Sequence, residues 1–175
     1  VALDDRAYTV TVSGVTFSAV NEGALAGDDP ITVAKNNAAT PNIVCVTENG
    51  CLNLFTSGAP TAFADADLPQ PNSVAELNGY FLWTIGDGRI FASGLNAVTV
   101  STSAFTTEQS FGGLLRGVTF KGEFFAFGRT GIGVYKDIGA SPFPLQRQFA
   151  IEKGIVGTHA VAGWEEGWSN QLIWG

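Results

Sequence analysis

The 175-residue sequence predicts an all-β fold built from repeated antiparallel meanders, with at most one short helix. Three observations predict it. Glycine-marked tight turns recur along the chain, strand-length apolar runs flank each of them, and a second turn glycine follows at a near-constant distance. The stretch "NGYFLWTIGDGRIFAS", residues 78–93, shows the unit in full: a turn, the run "YFLWTI", a second turn and another apolar run.

The tight turns fall at Gly14 of "VSGV", Gly50 of "ENGC", Gly79 of "LNGY", Gly122 of "FKGE" and Gly167 of "EEGW". Alternating residues such as Tyr8, Val10 and Val12, or Val118 and Phe120, precede them. Strands follow them at 52–55, 80–85, 124–127 and 172–174. Asn-Gly and similar pairs supply the positive φ that hairpin turns require. The second glycines are Gly23, Gly58, Gly88 and Gly131, eight or nine residues later in each case.

Successive units start 36, 29, 43 and 45 residues apart. Repeats of ~40 residues, each forming one small sheet, are the signature of a β-propeller. A blade buries both faces against its neighbours, so a run such as "YFLWTI" is apolar almost without a break where a one-sided strand would alternate. The best helical candidate, "VAKNNAAT", is short and carries Asn-Asn, and it continues the blade pattern. Residues 1–175 are therefore expected to form a single β-propeller-like domain of four to five blade units, the last truncated. At least one of Trp83, Phe91, Phe125 or Phe127, and Trp174 is expected to be buried between adjacent units. The chain opens at Val1, lacks methionine and stops at "LIWG" within a strand, and it reads as a piece excised from a longer protein.

Composition narrows the function. Hydrophobic residues make up 45% of the chain and charged residues only 14%, against a usual ~25%. Much of the surface must then be neutral or apolar, which suits faces covered by partners, although a large enclosed core would account for it too. The net charge of -7 argues against a free-standing nucleic-acid binder, because phosphate contacts need clustered Lys and Arg. The nine basic residues are scattered, with no two adjacent. Negligible affinity for duplex DNA is expected unless folding gathers Arg116, Lys121 and Arg129 at one edge. No apolar run approaches the ~18 residues of a membrane-spanning helix, and no signal-peptide pattern opens the chain.

No catalytic set emerges. His159 has no cysteine or second histidine at ligand spacing, so no zinc site is expected. Ser73 and Ser93 lack a nucleophile-elbow context. "GDGR" and "GRTGIG" lack the Lys-Ser/Thr and following helix of a phosphate loop and read as turns. Propeller glycosidases use paired acids, but Asp65 and Asp67 fit turn and capping roles before Pro69, and Glu165-Glu166 sits on a solvated hairpin tip. Trp83, Trp164, Trp168 and Trp174 could form a sugar-stacking platform, although tryptophan inside a blade is usually core. Catalytic, cofactor and metal residues are accordingly expected to be none, and substrate-binding residues are unknown.

Cys45 and Cys51 flank the turn of "IVCVTENGCLNLF". With Asn49-Gly50 as a two-residue loop, residue 48 pairs with 51 and 45 with 54, and the two sulfurs project from opposite faces. A three-residue loop with a bulge would bring them to one face. Two packed, reduced thiols are expected, in keeping with intracellular assembly.

From about Pro30 to Gly175 the chain resembles the packaged-DNA stabilisation proteins of short-tailed phages, also called tail accessory or head-completion proteins. The stretches that carry the resemblance are "DADLPQPNSVAELNGYF", "GRIFASGLN", "FFAFGRTGIGVYKDIGASPFPLQR", "IEKGIV" and "LIWG". Gly94, Gly133 and Leu145 depart from the family's usual Asp, Glu and Phe, and residues 1–29 match only loosely. The resemblance implies a virion component assembled in the bacterial host cytoplasm. It would be a homo-oligomeric ring below the portal that helps retain packaged DNA and forms the hub for other tail proteins. DNA contact would be at most indirect, and the acidic balance suits a channel past which DNA slides. The alternative from another class is a carbohydrate-binding, lectin-like or adhesive propeller; a hydrolytic propeller is the third reading.

Overall fold

A computed structural model describes the chain except residues 1, 4, 26, 28, 55–57, 64 and 166–169, and describes 2–3 in their backbone alone. Its strands form five antiparallel sheets in chain order. The first holds β1 (Ala2–Leu3), β2 (Arg6–Ser13) and β3 (Thr16–Ala24). The second holds β4 (Thr32–Lys35), β5 (Ile43–Thr47), β6 (Gly50–Leu54) and β7 (Thr61–Ala62). The third holds β8 (Pro71–Leu77), β9 (Tyr80–Ile85), β10 (Arg89–Ser93) and β11 (Val100–Thr107). The fourth holds β12 (Leu114–Phe120), β13 (Glu123–Gly128), β14 (Ile132–Asp137) and β15 (Leu145–Ile151). The last is a pair, β16 (Val161–Ala162) and β17 (Ile173–Trp174). A single 3₁₀ turn at Gln109–Phe111 is the one helical element among the described residues.

Each four-stranded sheet is a plain meander, and the first strands of the blades lie nearest one another. Strand β8 touches β4 on one side and β12 on the other. These strands face an axis and cannot complete a ladder with one another, so side chains satisfy their backbone groups. Val74 N donates to Thr32 Oγ1 at 2.9 Å and Gly117 N to Ser73 Oγ at 2.7 Å. Thr119 Oγ1 donates to the Glu76 carbonyl at 2.6 Å, and Asn72 Nδ2 to that of Leu114 at 2.6 Å.

The apolar runs fill the spaces between sheets. Along β9, Phe81, Trp83 and Ile85 face the second sheet, packing with Ala34, Val44 and Val46, while Leu82 faces the fourth with Leu114, Phe124 and Ala126. Phe125 and Phe127 on β13 turn the other way, towards Ile155, Val161 and Trp174. Both faces of the central blades are thus buried, as the near-continuous hydrophobicity of "YFLWTI" requires. Trp83, Phe91 and Phe127 are buried as expected, whereas Phe125 and Trp174 are half-buried.

The hairpins at Asn78-Gly79 and Lys121-Gly122 hold both central residues at positive φ (51° and 91°, 50° and 77°), the type I′ geometry that follows strand twist. Two turn expectations need correction. The loop between β5 and β6 is Glu48-Asn49, with Thr47 paired to Gly50 and Cys45 to Leu52. Thr47 Oγ1 accepts from Asn49 N and donates to the Gly50 carbonyl, each at 3.2 Å, and so fixes the turn one residue early. Gly23 is not a turn residue: it lies within β3, where the register slips between Ala7 and Tyr8. Gly88 joins β9 to β10, Gly131 lies between β13 and β14, and Gly58 is a bend before β7. The Gly167 turn and Phe55 lie outside the described residues.

Candidate functional site

Two features stand out as surfaces able to engage a partner. The first is the ribbon formed by β2 and β3. Tyr8, Val10 and Val12 share one face with their cross-strand partners Asn21, Ala19 and Phe17, while Thr9, Thr11 and Ser13 share the other with Val20, Ser18 and Thr16. Beyond Thr9 the ribbon is exposed on both faces, with Phe17 at 73% and Val12 at 59%. No charged residue occurs between Arg6 and Glu22. A neutral apolar stripe on an otherwise acidic protein is the kind of patch that marks an interaction site. The alternation of Tyr8, Val10 and Val12 was visible in the sequence, but nothing there showed that no sheet covers it.

The second feature is a cleft of about 790 Å³ along the axis, lined by β4, β8 and β12 together with Trp164, Glu165 and Asn170. Arg116 on β12 lines it and is only 6% exposed. Its Nη1 donates to the Thr158 carbonyl at 3.1 Å and to His159 Nδ1 at 2.8 Å, and its guanidinium lies 5.4 Å from the Trp164 ring centre. His159 Nε2 lies 3.1 Å from the Pro30 carbonyl. A ring that accepts at Nδ1 and donates at Nε2 is the neutral tautomer. Desolvation and the adjacent guanidinium hold His159 below its usual pKa range, though its exposure lets solvent damp the effect. His159 therefore ties the C-terminal segment to the start of the second sheet.

The remaining sequence candidates serve the fold. Ser73 Oγ and Thr84 Oγ1 lie 2.7 Å apart, both buried, and Ser93 Oγ accepts from Phe81 N at 2.9 Å. Asp65 caps a turn, accepting from Asp67 N at 3.0 Å and from Val100 N at 2.8 Å. Trp83 is fully buried beside Phe63 and Phe81; Trp164 and Trp174 are half-buried against the fourth sheet. The described tryptophans make no exposed platform, and Trp168 and Glu166 lie outside the described residues. Arg116, Lys121 and Arg129 are not gathered at one edge. Arg116 and Lys121 both line the axial cleft, whereas Arg129 lies past the end of β13 opposite to Lys121.

Both cysteines are free. Cys45 packs with Ala7 and Leu25, and Cys51 towards Trp83, on opposite faces of the sheet. Burial pushes Cys45 up to about 11 and Cys51 to about 12. One buried ionic cluster escaped the sequence reading. Glu108, 2% exposed, accepts from the Tyr135 hydroxyl and from Arg147 Nη1 at 3.1 Å, locking the third sheet to the fourth. Burial and that carboxylate raise Tyr135 far above its usual range. Glu108 and Arg147 lie 39 residues apart with no spacing signal. Among the described residues no three His, Cys, Asp or Glu side chains meet to hold a metal, and no helix is long and apolar enough to cross a membrane.

Successive antiparallel blades sharing an axial cleft define a β-propeller protein. The chain belongs to the phage DNA-stabilisation family described as "Bacteriophage P22 Gp10, beta-propeller", whose model matches residues 6–169. The match reaches back through the ribbon, where the motif resemblance was loose. No curated protein matches the chain. Among solved structures it is similar to PorZ, described as an essential bacterial surface component of the type-IX secretion system of Porphyromonas gingivalis, at 14% identity and a TM-score of 0.48. The alignment covers 92% of this chain and 21% of that one.

Proposed function

We propose that the chain is part of a head-to-tail connector: a structural virion component that sits below the portal, helps retain packaged DNA and offers a hub to other tail proteins. The observation that carries the reading is family membership over residues 6–169. The molecule's physics agrees with it. Sheets locked through buried aromatics and inter-blade hydrogen bonds make a rigid scaffold, and the neutral ribbon gives a like-charged assembly a place to meet without opposing carboxylates. Portal and tail proteins are the partners proposed, in a homo-oligomeric ring, with no catalysis and no direct grip on the genome. Chemical cross-linking and mass spectrometry of purified virions tests this. Cross-links from Lys121 or Lys35 to the portal protein are expected; a chain missing from the particle would refute the reading.

A further inference from the structure

We propose that the axial cleft is a receptor for a carboxylate on an extended acidic peptide segment of a partner protein, with Arg116 as the anion-binding residue. This inference does not depend on the virion role, because only the cleft and its side chains enter it.

Three observations carry it. First, Arg116 is 94% shielded from solvent, yet among the described residues it has no ion pair; the pairs there are Arg6–Asp5, Arg89–Asp87 and Arg147–Glu108. Buried guanidinium is costly unless paired. Secondly, its Nε–H, itself sealed from solvent, has no hydrogen-bond partner among the described residues. Nη1 is committed to Thr158 and His159, and the unmet Nε–H is a donor of the kind a carboxylate satisfies once it displaces the atoms that cover it. Thirdly, the lining suits a peptide. Lys35 and Lys121 add positive charge at the cleft, while Ile31, Phe120 and Trp164 offer apolar contact to neighbouring side chains. Two carboxylates share the lining: Glu76 is turned to Gly79 N at 2.5 Å and to Asn37 Nδ2 at 3.3 Å, and the exposed Glu165 favours the charged Arg116 through its field without forming an ion pair with it.

A nucleic-acid strand fits less well. One buried cation and two exposed lysines fall short of the six or more phosphate contacts that sustain useful binding, and the net charge of -7 opposes a polyanion. A single carboxylate needs only the local field.

The test is fluorescence anisotropy of the 175-residue chain with a labelled hexapeptide, Ac-Gly-Phe-Glu-Asp-Phe-Gly-NH2. Its controls are the Gln/Asn counterpart and a labelled thymidine oligonucleotide. The acidic peptide should bind at least tenfold more tightly than its neutral counterpart. R116Q should abolish that difference, and K121Q should reduce it severalfold at low salt. If R116Q fails to fold by circular dichroism, the acidic-to-neutral ratio and K121Q decide. Equal binding of the two peptides, no binding of the acidic one, or tighter Arg116-dependent binding of the oligonucleotide would each overturn the proposal.

Discussion

Trp83 has no exposed surface and lies against Phe63 and Phe81, with ring centres 5.3 and 5.8 Å away. Truncation to Ala should cost about 3–5 kcal/mol, read from urea denaturation midpoints; an unchanged midpoint would mean that the packing between the second and third sheets is wrong. The thiols give a second residue-scale outcome. With their pKa values raised to about 11 and about 12, Cys45 and Cys51 should resist a disulfide reagent at pH 8 in the native state and both react in urea. His159 gives a pH outcome. Its folded pKa is lowered, so below about 6.5 the unfolded chain takes up a proton that the folded ring resists. Stability should fall as pH drops through that value, and fall less in His159→Gln, when denaturation midpoints at pH 5 and 7.5 are compared.

At the scale of elements, blade-to-blade locks matter more than individual strands. Tyr135→Phe removes one hydrogen bond to the buried Glu108 and leaves Arg147 alone to pair it, which should cost about 2 kcal/mol. A loss below a few tenths would show that the third and fourth sheets do not depend on this cluster. The hairpins were legible because Asn-Gly and Lys-Gly pairs answer a local need for positive φ. The Gly50 turn shifted because a side chain, Thr47, outweighed the Asn-Gly signal. The shift moved each strand by one residue, so Cys45 kept its place on the face of Leu52 and Leu54, opposite Cys51. Phase was harder to read. Gly79 and Gly122 close the first hairpin of their blades, but Gly50 closes the second of its own, which accounts for the short 29-residue interval between Gly50 and Gly79. The fourth strands escaped notice because β11 and β15 are exposed and polar along much of their length.

For the whole molecule, the sequence carried the fold class through turn spacing and the family through motif order. It did not carry the cleft: Arg116, Thr158, His159 and Trp164 meet only because the C-terminal segment returns to Pro30, a contact 129 residues long in sequence. The acidic charge and the separation of Lys121 from Arg129 lead us to expect no duplex-DNA binding above the millimolar range in a low-salt gel shift. On the proposed role, we expect retention of the genome to depend on the assembled connector and not on a basic face of this chain. The most direct measurement is therefore made on particles. The gene is inactivated in the phage that encodes it, and the DNA content of purified heads is scored by nuclease protection and electron microscopy. The account predicts heads that package DNA and then lose it, with retention restored when the gene is supplied in trans. Heads without this protein that keep their DNA as well as the wild type would contradict it.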